Sequence, residues 1–414
     1  MNFFLKIALS IFFFLSHGWS VEPSLFDALT LTESSTYSVL VKNVGQGSCT
    51  IVRNHENGHH LVIDAGSSSG APPGLEGRLS EEFGFSEANS DIPFMDNSIT
   101  IIVSHSDQDH IDLFKTVFGL NQALLNRVGQ IVLGDHFDNY FRLNTEGTRP
   151  VQETRDFIRD FVLRVPGYQT KLLSLSHSET ERLDLRALLD RRDVAVSIPY
   201  RGFLPKGSIR RDHFFREDQP GEVDILGVNS GAESSKEKDT NANSAVVRLS
   251  INGKNILIMG DATGHTTGKI LESVADPSIL KADLLVASHH GADNEDANHI
   301  TWAMVTTPQH VAISHGFNTG YKHPTLTAVA NFIATDLAKD DRRPDKHILS
   351  VFNEPGVRAL TMSPFGMELG GGEKEHPEWA ILSTEKPIYG TGTSGDLTYV
   401  FSRNGLLLDF KRDH

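Results

Sequence analysis

The apolar residues of this chain fall in short continuous blocks. Ile99-Thr100-Ile101-Ile102-Val103, Asn255-Ile256-Leu257-Ile258-Met259 and Ala282-Asp283-Leu284-Leu285-Val286-Ala287 are the clearest. Blocks of this length without strict alternation predict strands buried on both faces, as in an α/β protein. Tyr37 to Val44 and Leu61 to Asp64 are further strand patterns, joined through a hairpin whose turn lies near Asn54 to Gly58. Between 150 and 165 the period changes. Pro150 stands near the start of a helix whose apolar face is Phe157, Ile158, Phe161, Val162 and Val165. Ser178-Glu179-Thr180-Glu181 resembles a capping box opening a second helix with Leu183, Leu185, Leu188 and Leu189 on one face. Residues 137–222 therefore read as an inserted, largely helical subdomain. Residues 229–241, rich in Ser, Gly, Asn, Lys and Glu, read as a loop before a strand at Ala245 to Ile251.

Three of the strand patterns run directly into ligand-type side chains. Ile99 to Val103 is followed by Ser104-His105-Ser106-Asp107-Gln108-Asp109-His110, Met259-Gly260 by Asp261, and Ala287-Ser288 by His289-His290-Gly291. Carboxylates and imidazoles packed this closely are expensive to bury without a cation, because desolvation penalises each charge. Mixed imidazole and carboxylate donors suit zinc, manganese or iron, whereas calcium takes oxygen alone. Residues at the ends of adjacent buried strands converge on one edge of a sheet, so distant motifs can build one site.

The ordered set Val44-Gly45-Gln46-Gly47, Leu61 to Gly66, Ser104 to His110, Asn243 to Val246, Met259-Gly260-Asp261, Ser288 to Gly291, and Ser314 to Asn318 with His323-Pro324 resembles the metallo-β-lactamase superfamily. Within it, the set looks most like the branch typified by the hydrolase domain of the ComEC competence proteins. The resemblance runs from residue 38 to about 330. It implies an α/β fold, a four-layer αββα sandwich carrying the 137–222 insertion. It also implies that His105 and Asp107 bind one metal, that Asp109, His110 and His289 bind a second, and that Asp261 bridges the two. Asp64 would brace the loops beneath. The alternating strand signals from Glu378 to Leu408 are expected to complete the second half of the sandwich. The chain departs from the superfamily's commonest motif at Asp107, where a histidine is usual, and this favours harder ions such as manganese. None of His136, His177 and His213 stands where the remaining first-site ligand would be.

Composition narrows the partners. The formal net charge is −15, from 38 Lys and Arg against 53 Asp and Glu, a field of the wrong sign for nucleic acid. The 137–222 segment is the exception, with 15 basic residues against 14 acidic. Basic and aromatic residues interleave there from Lys206 to Arg216. The single cysteine, Cys49, excludes an intramolecular disulfide and reads as a small core residue. Residues 1–20 carry Lys6, the apolar run Ile7 to Leu15, and the small residues Gly18 and Ser20 before Val21. This is the pattern of an export signal, leaving a hydrolase domain at 21–414 in the periplasm or medium without stable membrane association.

Taken with the resemblance, the expected function is hydrolysis by a metal-bound hydroxide, using one or two zinc or manganese ions. Asp109 or Asp261 would position the nucleophile, and His290, Lys322 or His323, with His315 as an alternative, would assist the leaving group. A phosphodiester, small or polymeric, is the first substrate class; a carbon ester, amide or lactam is the second. A non-catalytic metal-binding interaction protein is the alternative outside enzymology. Mass spectrometry of exported material should find an amino terminus close to Val21, and recovery of intact Met1 to Ser20 in the membrane fraction would support an uncleaved anchor instead.

Overall fold

In the computed structural model the described residues are 35–85, 96–135, 137–141, 152–174, 221–227, 240–251, 253–317, 320–335, 347–352, 367–372, 379–384, 387–402 and 407–412. The export-signal segment, the capping-box helix, His136, His177, His213 and the Lys206 to Arg216 stretch lie outside them.

The continuous apolar blocks form strands packed on both sides. In β4 (Ile99–Val103), Ile99, Ile101 and Val103 face one apolar cluster while Ile102 faces another. In β9 (Lys254–Ile258), Ile256 and Ile258 face the second cluster and Leu257 a third. The second cluster is shared by two sheets: Val39, Val52, Ile63 and Ile102 from one meet Val247, Ile258, Leu284 and Ala312 from the other. Helices cover the outer faces. Phe114 of α3 (Leu113–Val117) packs over the first sheet, and Ile270 of α6 (Gly264–Ser273), Trp302 of α7 (Ile300–Thr306) and Phe332 of α8 (Leu326–Ile333) pack over the second. The result is a four-layer αββα sandwich.

The first sheet has the order β17-β16-β1-β2-β3-β4-β5-β6, and the second β15-β11-β10-β9-β8-β7. Here β1 is Ser35–Val41, β2 Thr50–Asn54, β3 His60–Ile63, β5 Val128–Leu133, β6 Leu172–Ser174, β7 Gly221–Gly227, β8 Val246–Ile251, β10 Leu284–Val286 and β11 His310–Ile313. Pairing is parallel from β3 to β6, and again from β9 through β10 and β11 to β15 (Ile388–Gly390). Parallel strands direct their carboxyl ends to the same edge, and each of these half-sheets therefore delivers its following loops to one side of the sandwich.

The carboxyl-terminal strands do not all join the second half. Only β15 does so. Strand β16 (Leu397–Ser402) pairs antiparallel with β1, and β17 (Leu407–Arg412) pairs outside it, because Leu397, Tyr399 and Phe401 complete the inter-sheet cluster from the edge of the first sheet. Strands β12 (His347–Phe352), β13 (Met367–Gly372) and β14 (Trp379–Thr384) make a small separate sheet.

The described part of the 137–222 segment is joined to the sandwich. A helical stretch runs through α5 (Gln152–Asp156) and a wider turn at Phe157–Phe161, while β6 extends the first sheet. Phe161 stacks on Phe114 at 5.1 Å between centroids and meets Phe118 at 5.6 Å. Among the described residues, no helix is long and apolar enough to cross a membrane. Removing the fully buried Phe161 ring in Phe161→Ala should cost about 3–5 kcal/mol in denaturant unfolding, against less than about 0.5 kcal/mol for the exposed Leu120→Ala. Equal midpoints for the two variants would show that this helical stretch is peripheral to the core.

Candidate metal centre

The ligand cluster begins where β4 ends. Ser104, His105 and Ser106 are buried on the way to Asp107, which occupies the cap position of α2 (Gln108–Ile111) in extended conformation. Two aspartates brace this turn, one after each neighbouring strand. Asp64, past the end of β3, is fully buried with φ of 58° and accepts hydrogen bonds from Ser104 N (2.6 Å), Ser104 Oγ (2.7 Å) and His110 Nδ1 (2.8 Å). Asp135, past the end of β5, is also fully buried, with φ of 61°. It accepts from Ser106 Oγ (2.7 Å), Asn139 Nδ2 (2.7 Å) and Asn243 Nδ2 (3.0 Å). Both residues occupy a backbone region that costs a non-glycine residue about 1–3 kcal/mol, so the surrounding bonds must hold them there.

Sequence reading anticipated the brace at Asp64 but not the one at Asp135. The signal was present, since Val132-Leu133-Gly134-Asp135 repeats the strand-Gly-Asp pattern of Ile258-Met259-Gly260-Asp261.

The second sheet supplies the opposite wall. Gly260, with φ of 53°, carries the chain so close to Ser104 that a Cβ there would lie 2.7 Å from the Ser104 Cβ. Glycine is required on both counts. After β10, His289 and His290 both adopt left-handed conformations, with φ of 47° and 52°. Asn298 clamps that turn: its Nδ2 donates to Ser288 O (2.8 Å) and Ala292 O (2.7 Å), and its Oδ1 accepts from Ser288 N (3.1 Å).

Hydrogen bonds fix which ring nitrogens face the centre. His110 Nδ1 bonds to the Asp64 carboxylate and His290 Nδ1 to Ser314 O (2.9 Å), acceptors that require a proton on Nδ1. Ser104 Oγ gives its own hydrogen to Asp64, leaving lone pairs for His105 Nδ1 at 3.0 Å. The Nε2 atoms of His105, His110 and His290 are the ring nitrogens left to face the centre, and all three are buried without a hydrogen-bond partner. His110 Nε2 stands 3.1 Å from Asp261 Oδ1 yet out of hydrogen-bonding alignment. Orphaned imidazole nitrogens beside carboxylates are what a divalent cation satisfies, and the donor set fits one.

Two overlapping groups of potential ligands result: His105, His110 and Asp261, and Asp109, His110 and His290. His290 Nε2 lies 3.4 Å from Asp109 Oδ2 and 3.7 Å from Asp261 Oδ2. His290 thus offers its Nε2 to both carboxylates, whereas the family resemblance gives the ligand position to His289. His289 Nε2 is 3.8 Å from Asp261 Oδ2 and stays within reach of a cation shared with that carboxylate. Asp107 Oδ2 lies 3.7 Å from His105 Nε2 but accepts a hydrogen bond from Thr240 Oγ1 (2.8 Å) at the rim.

Charge follows this geometry. Against burial, which disfavours its ionised form, His110, His290 and His289 together hold the Asp261 carboxyl well below the usual range. Burial opposes a charged His110 too, but Asp261 and Asp64 outweigh it and push that imidazole well above its ordinary value. His323 behaves differently. Burial, then His289 and His290, push it down to about 3, its ring centroid is 5.1 Å from that of His289, and it is not part of the cavity wall.

The centre opens into a cavity of about 320 Å³ whose wall includes Asp107, Asp109, Asp261, His289, His290, Glu153 and Tyr321, with no lysine or arginine among its described residues.

Fold and site together define an αββα protein with a His/Asp centre able to hold divalent metal. Neither protein-family models nor curated proteins give a match to this chain. Among solved structures, the chain is similar to human tRNase Z, short form, at 14% identity and a TM-score of 0.32, covering 68% of this chain and 92% of that one. Unliganded yeast PDE1 aligns at 10% identity and a TM-score of 0.39, over 72% and 93% of the two chains. A protein of unknown function from Enterococcus faecalis V583 aligns at 12% and 0.30, over 64% and 53%. The description of the fold rests on the layer order and strand topology above.

Because His110 belongs to both ligand groups, His110→Ala should emerge from dialysis with no bound divalent metal by elemental analysis, and Asp261→Ala should be strongly depleted. Asp64→Asn, which keeps the shape but weakens the grip on His110, should lower metal affinity about 10–100-fold with the fold retained. Wild-type metal content in His110→Ala would refute the centre.

Proposed function

We propose that this protein is a metal-dependent hydrolase, exported from the cytoplasm, that cleaves a small phosphodiester using one or two manganese or zinc ions. The observation that carries the reading is the convergence of three unpartnered imidazole Nε2 atoms and the Asp109 and Asp261 carboxylates at the foot of an open polar cavity. Divalent cations held there would supply Lewis acidity toward a water and the substrate oxygens.

The chain's own groups do the rest. His105, His110, His290 and Asp261 hold the cations, with Asp64 and Ser314 O fixing the tautomers of His110 and His290. Asp109, in the cavity wall, orients the attacking water and accepts its proton. Tyr321 is half-exposed in the same wall. Burial, then Asp109 and Asp107, raise its phenol above the ordinary value, and its hydroxyl would donate to a substrate in the cavity.

The cavity wall also bears on substrate class. Among the described residues the wall carries Asp107, Asp109, Glu153 and Asp261 and no lysine or arginine, so bound cations would supply its positive charge. One phosphodiester group suits that arrangement. A polyanion or a carboxylate-bearing lactam finds no further counter-charge, which agrees with the net charge of −15. A neutral carboxyl ester is the second reading, since the same centre is competent to hydrolyse it. The resemblance to the ComEC-like branch supports phosphate-ester chemistry within this proposal.

The test is a panel of chromogenic phosphodiester, phosphomonoester, lactam and carboxyl ester substrates with the manganese- or zinc-loaded protein. Phosphodiester turnover that disappears with a chelator, and in Asp109→Ala, is expected. Turnover of the carboxyl ester alone would move the second reading to first place.

A further inference from the structure

Gln46 is the one residue of the cavity wall whose side-chain polar atoms are both buried and both without a partner among the described residues. It is 1% exposed, and neither its Nε2 nor its Oε1 has a hydrogen-bond partner. A buried carboxamide left unsatisfied is costly, and such groups in native proteins call for a ligand, a water or an ion.

The backbone around Gln46 is held from three sides. Its N donates to Ser69 O (2.8 Å), and its O accepts from Ser68 N (2.7 Å). Gly47 passes so close to the next loop that a Cβ would fall 2.2 Å from Gly66 O, and a Cβ on Gly316 would fall 2.6 Å from Gln46 N. The same turn is tied to the metal centre, because Ser48 N donates to Asp109 O at 2.9 Å. Gln46 is thus placed rigidly relative to Asp109 by its backbone, while its side chain contributes no hydrogen bond to the fold.

We infer that Gln46 is a substrate-binding residue, its carboxamide turning from its buried position to meet the phosphoryl group in the cavity. This rests on the hydrolase reading above. Its Nε2 donates to a non-bridging phosphoryl oxygen, and its Oε1 accepts from a substrate hydroxyl or a water. An uncharged donor suits a wall that already carries four carboxylates. A lysine there would pair with those carboxylates, whereas an amide stays available to the substrate.

The experiment uses the metal-loaded, full-length protein and the variants Gln46→Met, of similar shape but apolar, and Gln46→Glu, which loses the donor and adds charge. Metal content, melting temperature, kcat/KM on a chromogenic phosphodiester and the Kd for inorganic phosphate are measured together. For Gln46→Met the expectation is unchanged metal, an unchanged or higher Tm, and kcat/KM lower by about 10²-fold, the effect of losing one preorganised donor. Gln46→Glu should lose at least as much, and phosphate should bind at least about tenfold more weakly to Gln46→Met than to wild type. A structural role predicts the reverse pattern. Early melting or metal loss in Gln46→Met, or wild-type kinetics, overturns the assignment. So does phosphate affinity that is equal in wild type and variant or absent from both. If wild type binds phosphate more tightly than Gln46→Met but no ester of the panel is cleaved, the hydrolase reading fails and Gln46 stands as an oxyanion contact.

Discussion

His110 stands between two carboxylates that belong to different sheets. Its Nδ1 is 2.8 Å from Asp64, which follows a strand of the first sheet, and its Nε2 is 3.1 Å from Asp261, which follows a strand of the second. All three side chains are buried, so none can be relieved by water. The line from Asp64 through His110 to Asp261 requires the two sheets to be held at a fixed spacing, and a cation bound there would take the place of a proton on His110 Nε2. The apolar cluster between the sheets provides that spacing, and the orphaned imidazole nitrogens point to the cation.

That dependence explains why so much of the polar structure near the centre serves orientation. Asp64 and Asp135 receive hydrogen bonds from the turn after β4 on either side, Asn298 holds the His289-His290 turn, and Ser314 O sets the tautomer of His290. Strained backbone is concentrated in the same places, at Asp64, Asp135, His289 and His290. Each residue there trades conformational ease for a side-chain direction, and packing from both sheets keeps it in place.

The cavity wall is as informative as the ligands. Among its described residues it carries four carboxylates and no lysine or arginine, so bound cations would be the principal positive charges offered to a substrate. In the function proposed above, neutral donors such as the Gln46 amide and the Tyr321 phenol would then orient it. This division, cations for charge and uncharged groups for orientation, fits a compact substrate better than a long polyanion.

From the sequence alone, the strand blocks, the ligand-type residues at their ends and the helix through Phe157 and Phe161 were legible, because burial on both faces and a change of period leave direct marks on residue order. The αββα layers followed from the motif order through the family resemblance. Which partner each strand takes was not legible. The carboxyl-terminal strands alternate as strands do, but only tertiary packing decided that β16 joins β1 in the first sheet while β15 joins the second. The same holds within the site. His289 and His290 are adjacent in sequence and chemically identical, and the left-handed turn together with the Ser314 carbonyl decided which ring faces Asp109. Asp135 carried a sequence signal shared with Asp261, yet one became a brace and the other a potential ligand. Residue type sets what chemistry a side chain can perform; the direction in which a packed backbone aims it is a property of the assembled sheets.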